Sequence, residues 1–283
     1  MKQVDAFTDS PFKGNPAAVF LLEKDRDEQW LKSVAVEFNI SVTCYLTRIT
    51  ESEELHDSPN HSSIPRFRLR WFTPVAEVEL CGHATIAAAH TLFTSGEVDS
   101  NIIEFVTLSG ILTAKKVIKN NIEASNGEAE AHKGFVIELN FPTDPSTELD
   151  SAEDSLLVSE ALGGASVVVP SAKAVVDLRP DYGAIEKCRG TGLIVTGIAS
   201  PESGFDFHSR YFSPKFGINE DPVCGSAHCA LAPYWRKELG KCDFVAYQAS
   251  PRGGVLNIHL DEENQRVLLR GKAITVMEGT FWV

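Results

Sequence analysis

Leu80-Cys81-Gly82-His83-Ala84-Thr85 and Val223-Cys224-Gly225-Ser226-Ala227-His228 are the two stretches on which the reading of this chain turns. The first follows Trp71-Phe72-Thr73-Pro74 and has Glu79 just before it; the second follows Tyr211-Phe212-Ser213-Pro214 and has Asp221 just before it. Each reads aromatic-Phe-Thr/Ser-Pro, a loop, an acid, Cys-Gly-polar-Ala, then an alanine-rich run. The two Cys-Gly pairs lie 143 residues apart in a chain of 283, half its length. Self-similarity at that spacing predicts two like domains that face each other.

The runs after the Cys-Gly pairs predict helices, from Gly82 to Phe93 and from Gly225 to Leu231. In the first, Ala84, Ile86, Ala87, Ala88 and Ala89 leave almost no polar face, so the helix is expected to be buried. A pocket between two such domains would receive one helix N-terminus from each. Helix starts present unpaired N–H groups that bind carboxylates and stabilise developing anions. Thiols there, at Cys81 and Cys224, are expected to titrate below the usual thiol value of about 8.5. Two opposed thiols around one carbon could serve as base and acid for a cofactor-free racemisation or epimerisation. The competing reading is that both cysteines are small buried residues preceding helices.

Outward from these motifs the chain alternates between strands and turns. Val4-Asp5-Ala6-Phe7 and Ala17 to Leu22 predict a hairpin around the Gly14-Asn15-Pro16 turn, from which Asn15 is a candidate to reach the site. Asp25 and Glu28 suggest a capping box for a helix with Trp30, Leu31, Val34, Ala35 and Phe38 on one face, ended by Asn39. Val42 to Leu46 and Arg66 to Phe72 read as strands separated by a polar loop at 51–65, and further strands run between 103 and 142, broken by a turn at 119–134. A linker is expected at 142–147, near the midpoint. A helix from Ala152 to Leu162, stopped by Gly163-Gly164, opens the second half. Strands are expected at 165–169, 174–178, 192–197, 210–212, 255–260, 267–271 and 274–277.

Composition narrows the function. The chain is 43% hydrophobic and 23% charged, which is ordinary globular usage. Its net charge of -13, without a dense Lys/Arg run, argues against nucleic acid as a partner. No run of apolar residues is long enough to span a membrane, and Met1-Lys2-Gln3-Val4 leads straight into strand-like sequence, so a cytosolic protein is expected. The six cysteines contain no C-x-x-C pair. Cys224 and His228 are four apart, but no further ligands stand nearby, so no metal is expected; His90 and His228 read as core or capping residues. No G-x-G-x-x-G follows a strand, and no cofactor is expected. Arg252-Gly253-Gly254 reads either as an anion-facing turn or as an ordinary hairpin turn.

Taken together, Val4-Asp5-Ala6-Phe7-Thr8, Gly14-Asn15-Pro16-Ala17-Ala18-Val19, Arg70-Trp71-Phe72-Thr73-Pro74, the two Cys-Gly motifs and Gln248-Ala249-Ser250-Pro251-Arg252-Gly253-Gly254 resemble the phenazine-biosynthesis PhzF-like isomerase family over nearly the whole chain. The resemblance implies an α+β fold shared with diaminopimelate epimerase. It consists of two pseudo-symmetric domains, 1–142 and 143–283, each a curled, mostly antiparallel sheet around a central helix, with the last strand free to pair back onto the first domain. It also implies a cofactor-independent isomerase, commonly a homodimer, that moves a proton on a small carboxylate-bearing metabolite between the domains. His83 matches the family's active-site histidine, Asp221 its aspartate and Ser226 its serine. Gly82 and Gly225 match its backbone donors for the substrate carboxylate, and Asn15, Thr43, Arg252 and Gly253 complete the expected binding set. The family's proton-carrying glutamate stands in Asn-Leu-Ser-Glu-Thr-Ala, whereas this chain reads Asn39-Ile40-Ser41-Val42-Thr43-Cys44. Valine accepts no proton. Two alternatives follow: Cys81 and Cys224 as the acid/base pair, or a catalytically silent protein that keeps the cleft to bind a metabolite or a partner.

Overall fold

Alternation along two neighbouring strands shows how the sequence builds this fold. The computed structural model describes residues 1–49, 64–118, 134–144, 152–162 and 167–282. The first half contains β1 (Lys2–Ala6), β2 (Asn15–Leu22), α1 (Glu28–Phe38), β3 (Val42–Arg48), β4 (Arg66–Phe72), β5 (Glu77–Val78), α2 (Gly82–Ser95), β6 (Ile102–Thr107), β7 (Gly110–Ile118) and β8 (Phe135–Pro142). On β2 and β3, Ala17, Val19, Val42, Cys44 and Leu46 turn into the core that contains α2. Their neighbours Ala18, Phe20 and Tyr45 turn the other way, onto Leu31, Val34 and Ala35 of α1. Successive strand residues point to opposite faces, so both faces of this part of the sheet are covered by a helix. Helix α2 itself is buried from Gly82 to Phe93 and packs against β1, β2, β3, β7, β8 and β16.

The second half runs α3 (Ala152–Ala161), β9 (Val168–Val169), α4 (Ala172–Asp177), α5 (Tyr182–Ile185), β10 (Leu193–Ile198), β11 (Phe207–Ser213), β12 (Ile218–Asp221), α6 (Gly225–Leu239), β13 (Asp243–Gln248), β14 (Gly254–Asp261), β15 (Arg266–Gly271) and β16 (Ala273–Glu278). Helix α6 packs on β14 and β15 and meets α2.

The pattern of strand pairing recurs between the halves. In the first, β2 is parallel to β3, β3 antiparallel to β4, β4 parallel to β6, and β6, β7 and β8 follow antiparallel. In the second, β9 is parallel to β10, β10 antiparallel to β11, β11 parallel to β13, and β13, β14 and β15 follow antiparallel. The short β5 hangs on β4 as β12 hangs on β11. Antiparallel pairing of β8 with β15 joins the halves, and β16 pairs with β1 in the first half.

Several local expectations are corrected. The stretch expected as a strand at 174–178 is α4, because the Ser171 hydroxyl accepts from the Ala174 N–H at 3.2 Å and starts a helix there. Helix α1 is capped by Asp27, whose carboxylate accepts from Trp30 N–H at 2.9 Å, while Asp25 pairs with Arg68 instead. Helix α6 continues past Leu231 through Pro233. The pyrrolidine has no N–H to offer the carbonyl of Cys229 one turn back. The Asp144 N–H donates to that carbonyl at 3.3 Å, so the proline leaves no orphan acceptor. Residues 51–63 of the expected polar loop, 119–133 of the expected turn, 145–147 of the expected linker, the stop at Gly163-Gly164 and the first residues of the strand expected at 165–169 lie outside the described residues.

Candidate functional site

The first residues of α2 and α6 lie against each other. A Cβ added to Gly82 would sit 3.0 Å from the Gly225 Cα, and one added to Gly225 would sit 3.2 Å from the Gly82 Cα. Two backbones this close require glycine on both sides, which accounts for the second residue of each Cys-Gly motif. The two helix starts therefore open onto one cavity of about 480 Å³. Cys81, Gly82 and His83 enter it from α2, and Asp221, Cys224, Gly225 and Ser226 from the strand and helix of the second half. Val42 of β3 forms part of the wall.

Cys81 and Cys224 are the N-cap residues of the two helices. Cys81 Sγ lies 3.4 Å from His83 Nδ1, and the other ring nitrogen lies 3.4 Å from Ser41 Oγ. Cys224 Sγ lies 3.2 Å from Ser226 Oγ and accepts from the Ala227 N–H at 3.4 Å. The expected lowering of the thiol pKa values does not hold. Burial, with the neighbouring Asp221 charge as a smaller contribution, pushes the Cys81 thiol well above its ordinary value and the Cys224 thiol up to about 12. Desolvation of a thiolate outweighs the favourable N–H groups at the helix start. Burial lowers the His83 imidazole to about 3, so it is neutral at physiological pH.

Among the described residues that line the cavity, Asp221 changes protonation near neutrality. Burial raises its carboxyl from 3.8 to about 7, against the opposing pull of the Val223 backbone N–H and of Asn15. Asn15 is the link between halves: its Nδ2 donates to Asp221 Oδ1 at 2.9 Å and to the Val223 carbonyl at 3.0 Å. Gln248 holds the same turn from behind, donating to the Asp221 carbonyl at 2.6 Å and accepting from the Cys224 N–H at 2.9 Å. Ser250 adds a bond to the Pro222 carbonyl at 2.6 Å. Asn15 thus acts on the cavity through Asp221.

Thr43, Arg252 and Gly253, expected at the site, do not line this cavity. Thr43 follows Val42 on β3, so strand alternation turns it to the opposite face, where it is buried. The Arg252 guanidinium donates to the carbonyls of Gly14 and Lys13 at 2.8 and 3.0 Å and pairs with Asp5 at 2.9 Å, which holds it beside the N-terminal turn. His228 spends both ring nitrogens, one 2.7 Å from the Cys224 carbonyl and the other 3.2 Å from Ser209 Oγ, which leaves neither for a metal. Ser41 and Gln248 were not singled out by the sequence, although Gln248 and Ser250 alternate at the end of β13, a pattern that puts both on one face.

A second correspondence adjoins the cavity, whose wall includes Glu77. Arg70 of β4 grips Glu77 of β5 through two bonds of 2.7 Å. Arg210 of β11 grips Glu220 of β12 at 2.7 and 2.8 Å. Each arginine also stacks over the phenylalanine two residues on, Phe72 at 5.1 Å and Phe212 at 5.0 Å. The repeat therefore begins one residue before the aromatic pair, at the arginine.

The profile of the phenazine biosynthesis-like protein family matches residues 4–279. An uncharacterized isomerase of Halalkalibacterium halodurans is 40% identical over 97% of this chain and 95% of its own length. The crystal structure of a PhzF-family phenazine biosynthesis protein from Enterococcus faecalis superposes with a TM-score of 0.79 at 34% identity, covering 100% of this chain and 98% of that one. A hydroxyproline epimerase from Agrobacterium vitis, solved with bound trans-4-hydroxy-L-proline, has a TM-score of 0.56 at 11% identity over 98% of this chain and 90% of that one, a likeness of fold alone. The chain belongs to the phenazine biosynthesis-like protein family.

Proposed function

We propose that the protein is a cofactor-independent isomerase that moves a proton on a small carboxylate-bearing metabolite held between two pseudo-symmetric domains. The observation that carries this reading is the abutment of Gly82 and Gly225, which brings two helix N-termini and both Cys-Gly motifs to one cavity. The first N–H groups of the two helices, at Gly82 and Gly225, suit a carboxylate and the charge that grows on it when the adjacent carbon loses its proton. The recurrence of strand pairings and of the Arg–Glu clamps supports domains of 1–142 and 143–283.

The proton carriers in this reading are Cys81 and Cys224. A buried thiol is protonated in the resting cavity and needs a partner to leave as thiolate. His83, neutral and 3.4 Å from Cys81, is placed to orient that thiol, while the ionised Asp221 carboxylate, the stronger base at about 7 against about 3, takes the proton. Ser226 and the Ala227 N–H receive the charge on Cys224. One thiolate removes the substrate proton and the opposite thiol delivers one, so no cofactor enters the balance. Asp221 repels both thiolates when ionised and must be protonated, or exchange its proton with them, for the cycle to turn.

The test is incorporation of solvent deuterium into a panel of small amino and hydroxy acids, followed by mass spectrometry. Exchange should be abolished by thiol alkylation and protected by the substrate. Full exchange in a Cys81→Ala/Cys224→Ala double variant would end the thiol reading. Val42 on the cavity wall favours a second reading, a binding protein without turnover. Ligand binding with no exchange, in the wild type and in Val42→Glu alike, would decide for it.

A further inference from the structure

A second cavity, of about 380 Å³, lies on the other side of the segments that hold Asp221. That is the size of an ordinary small-molecule site, roughly 300 to 1,000 Å³. Tyr247 gives it an aromatic wall, Asn257 a neutral polar group, Asp9 a carboxylate, and Lys13, Arg252 and Lys272 three cations. Lys272 is balanced by Asp9 at 2.8 Å and Arg252 by Asp5 at 2.9 Å, whereas Lys13 has no acidic partner among the described residues. With Asp9 also in the lining, the concave surface is left with the unpaired charge of Lys13, opposite in sign to a chain of net charge -13, and a cleft concentrates the field of the charges that line it.

The wall of this cavity is made of the backbone that positions Asp221. The Gly14 N–H donates to the Gly253 carbonyl at 2.8 Å, and the next residue, Asn15, donates to the Asp221 carboxylate. The Gly253 N–H donates to Ser250 Oγ at 3.0 Å, and Ser250 donates to the carbonyl of Pro222, which follows Asp221. Phe7, with φ of 61°, accepts the Val255 N–H at 3.1 Å, and its ring edge lies 3.5 Å from where a Cβ on Gly225 would be. Any shift of the 7–14 turn against residues 252–255 therefore moves both supports of Asp221.

We infer that this second cavity binds a small anion, a carboxylate or a phosphate, and that its occupancy is transmitted to Asp221 through Asn15 and Ser250. The experiment is a titration of the full-length protein with citrate, pyrophosphate or uncharged sorbitol, followed by amide NMR. Saturable shifts are expected at the Gly14, Gly253 and Gly254 amides and at the Asn15 side-chain amide with at least one anion and not with sorbitol; the tighter anion tells carboxylate from phosphate. In Lys13→Glu/Lys272→Glu, affinity at these signals should fall about tenfold or more, while any separate carboxylate binding reported by Gly82 and Gly225 persists. The milder Lys13→Gln/Lys272→Gln should give an intermediate loss, which guards against misfolding of the charge-reversed protein. Absence of saturable shifts at Gly253, an equal response to sorbitol, or unchanged affinity in both variants would overturn the site. A silent Asn15 side-chain amide at saturation would overturn the transmission. No turnover is measured, so failure here and failure of the isomerase reading are distinguishable.

Discussion

Asp221 shows how a single buried carboxyl sets both chemistry and stability. Its folded pKa of about 7 lies above the unfolded value of 3.8, so the folded protein holds a proton that the unfolded chain releases between those values. The stabilisation from that proton is complete below about pH 4 and is lost as the pH rises through about 7. Asp221→Asn, which keeps an oxygen for Asn15, is expected to raise the melting temperature at about pH 8 and to change it little at about pH 4. The gain is at most about 4 kcal/mol, from one pKa unit being worth about 1.4 kcal/mol. Thermal melts of both proteins across that range check it, and parallel curves would refute it. The residue's importance was readable from the acid preceding Cys-Gly, but its titration was not. That depends on burial between the two halves, offset in part by Asn15, a contact between residues 206 positions apart. The thiols went the same way: a helix start argued for low pKa values, and the depth of the cavity decided otherwise.

At the level of elements, the sequence was most legible where pattern and cap agreed. Helix α2 announced itself through its alanines, and α1 through its apolar face, although its cap moved from Asp25 to Asp27. It was least legible where a distant group overrode a local signal. The sequence suggests a helix only as far as Leu231, yet α6 runs on through Pro233, where the Asp144 N–H takes the carbonyl that the proline cannot serve. Val175 and Val176 read as a strand, and one hydroxyl from Ser171 makes them a helix. The Pro233 arrangement has a measurable consequence. Pro233→Ala supplies an N–H that competes for the Cys229 carbonyl, so the Asp144 amide should exchange with solvent faster than in the wild type. Because that carbonyl is already served, the stability gain should fall well short of the roughly 3 kcal/mol that separates proline from alanine in an open helix. Hydrogen exchange at Asp144, with a denaturant melt beside it, tests both parts.

At the scale of the whole molecule, the two halves use the same clamp at different depths. The Arg210 and Glu220 side chains are 8% and 10% exposed, against 29% and 17% for Arg70 and Glu77. Removing one partner of a buried pair strands the other, at a cost of about 3–5 kcal/mol, whereas an accessible partner regains water. Glu220→Gln is therefore expected to destabilise the protein clearly more than Glu77→Gln in urea unfolding; equal losses would contradict the depth argument. Arg210 also donates to the carbonyls of Val175 and Leu178, so its fixed position anchors α4 to the sheet.

The pairing of β1 with β16 carries a consequence for how the molecule comes into being. The N-terminal amine donates to the carbonyl of Gly279, a contact between residues 278 positions apart. Residues 2–6 can find β2 as soon as it is synthesised, but their other edge stays open until β16 has left the ribosome. Strand edges in that condition invite wrong partners. Asn15, one turn away, meets Asp221 only when both halves are made. The cavity is thus a late product of folding, and a nascent chain holds the first helix start and its thiol without the surroundings that keep that thiol protonated.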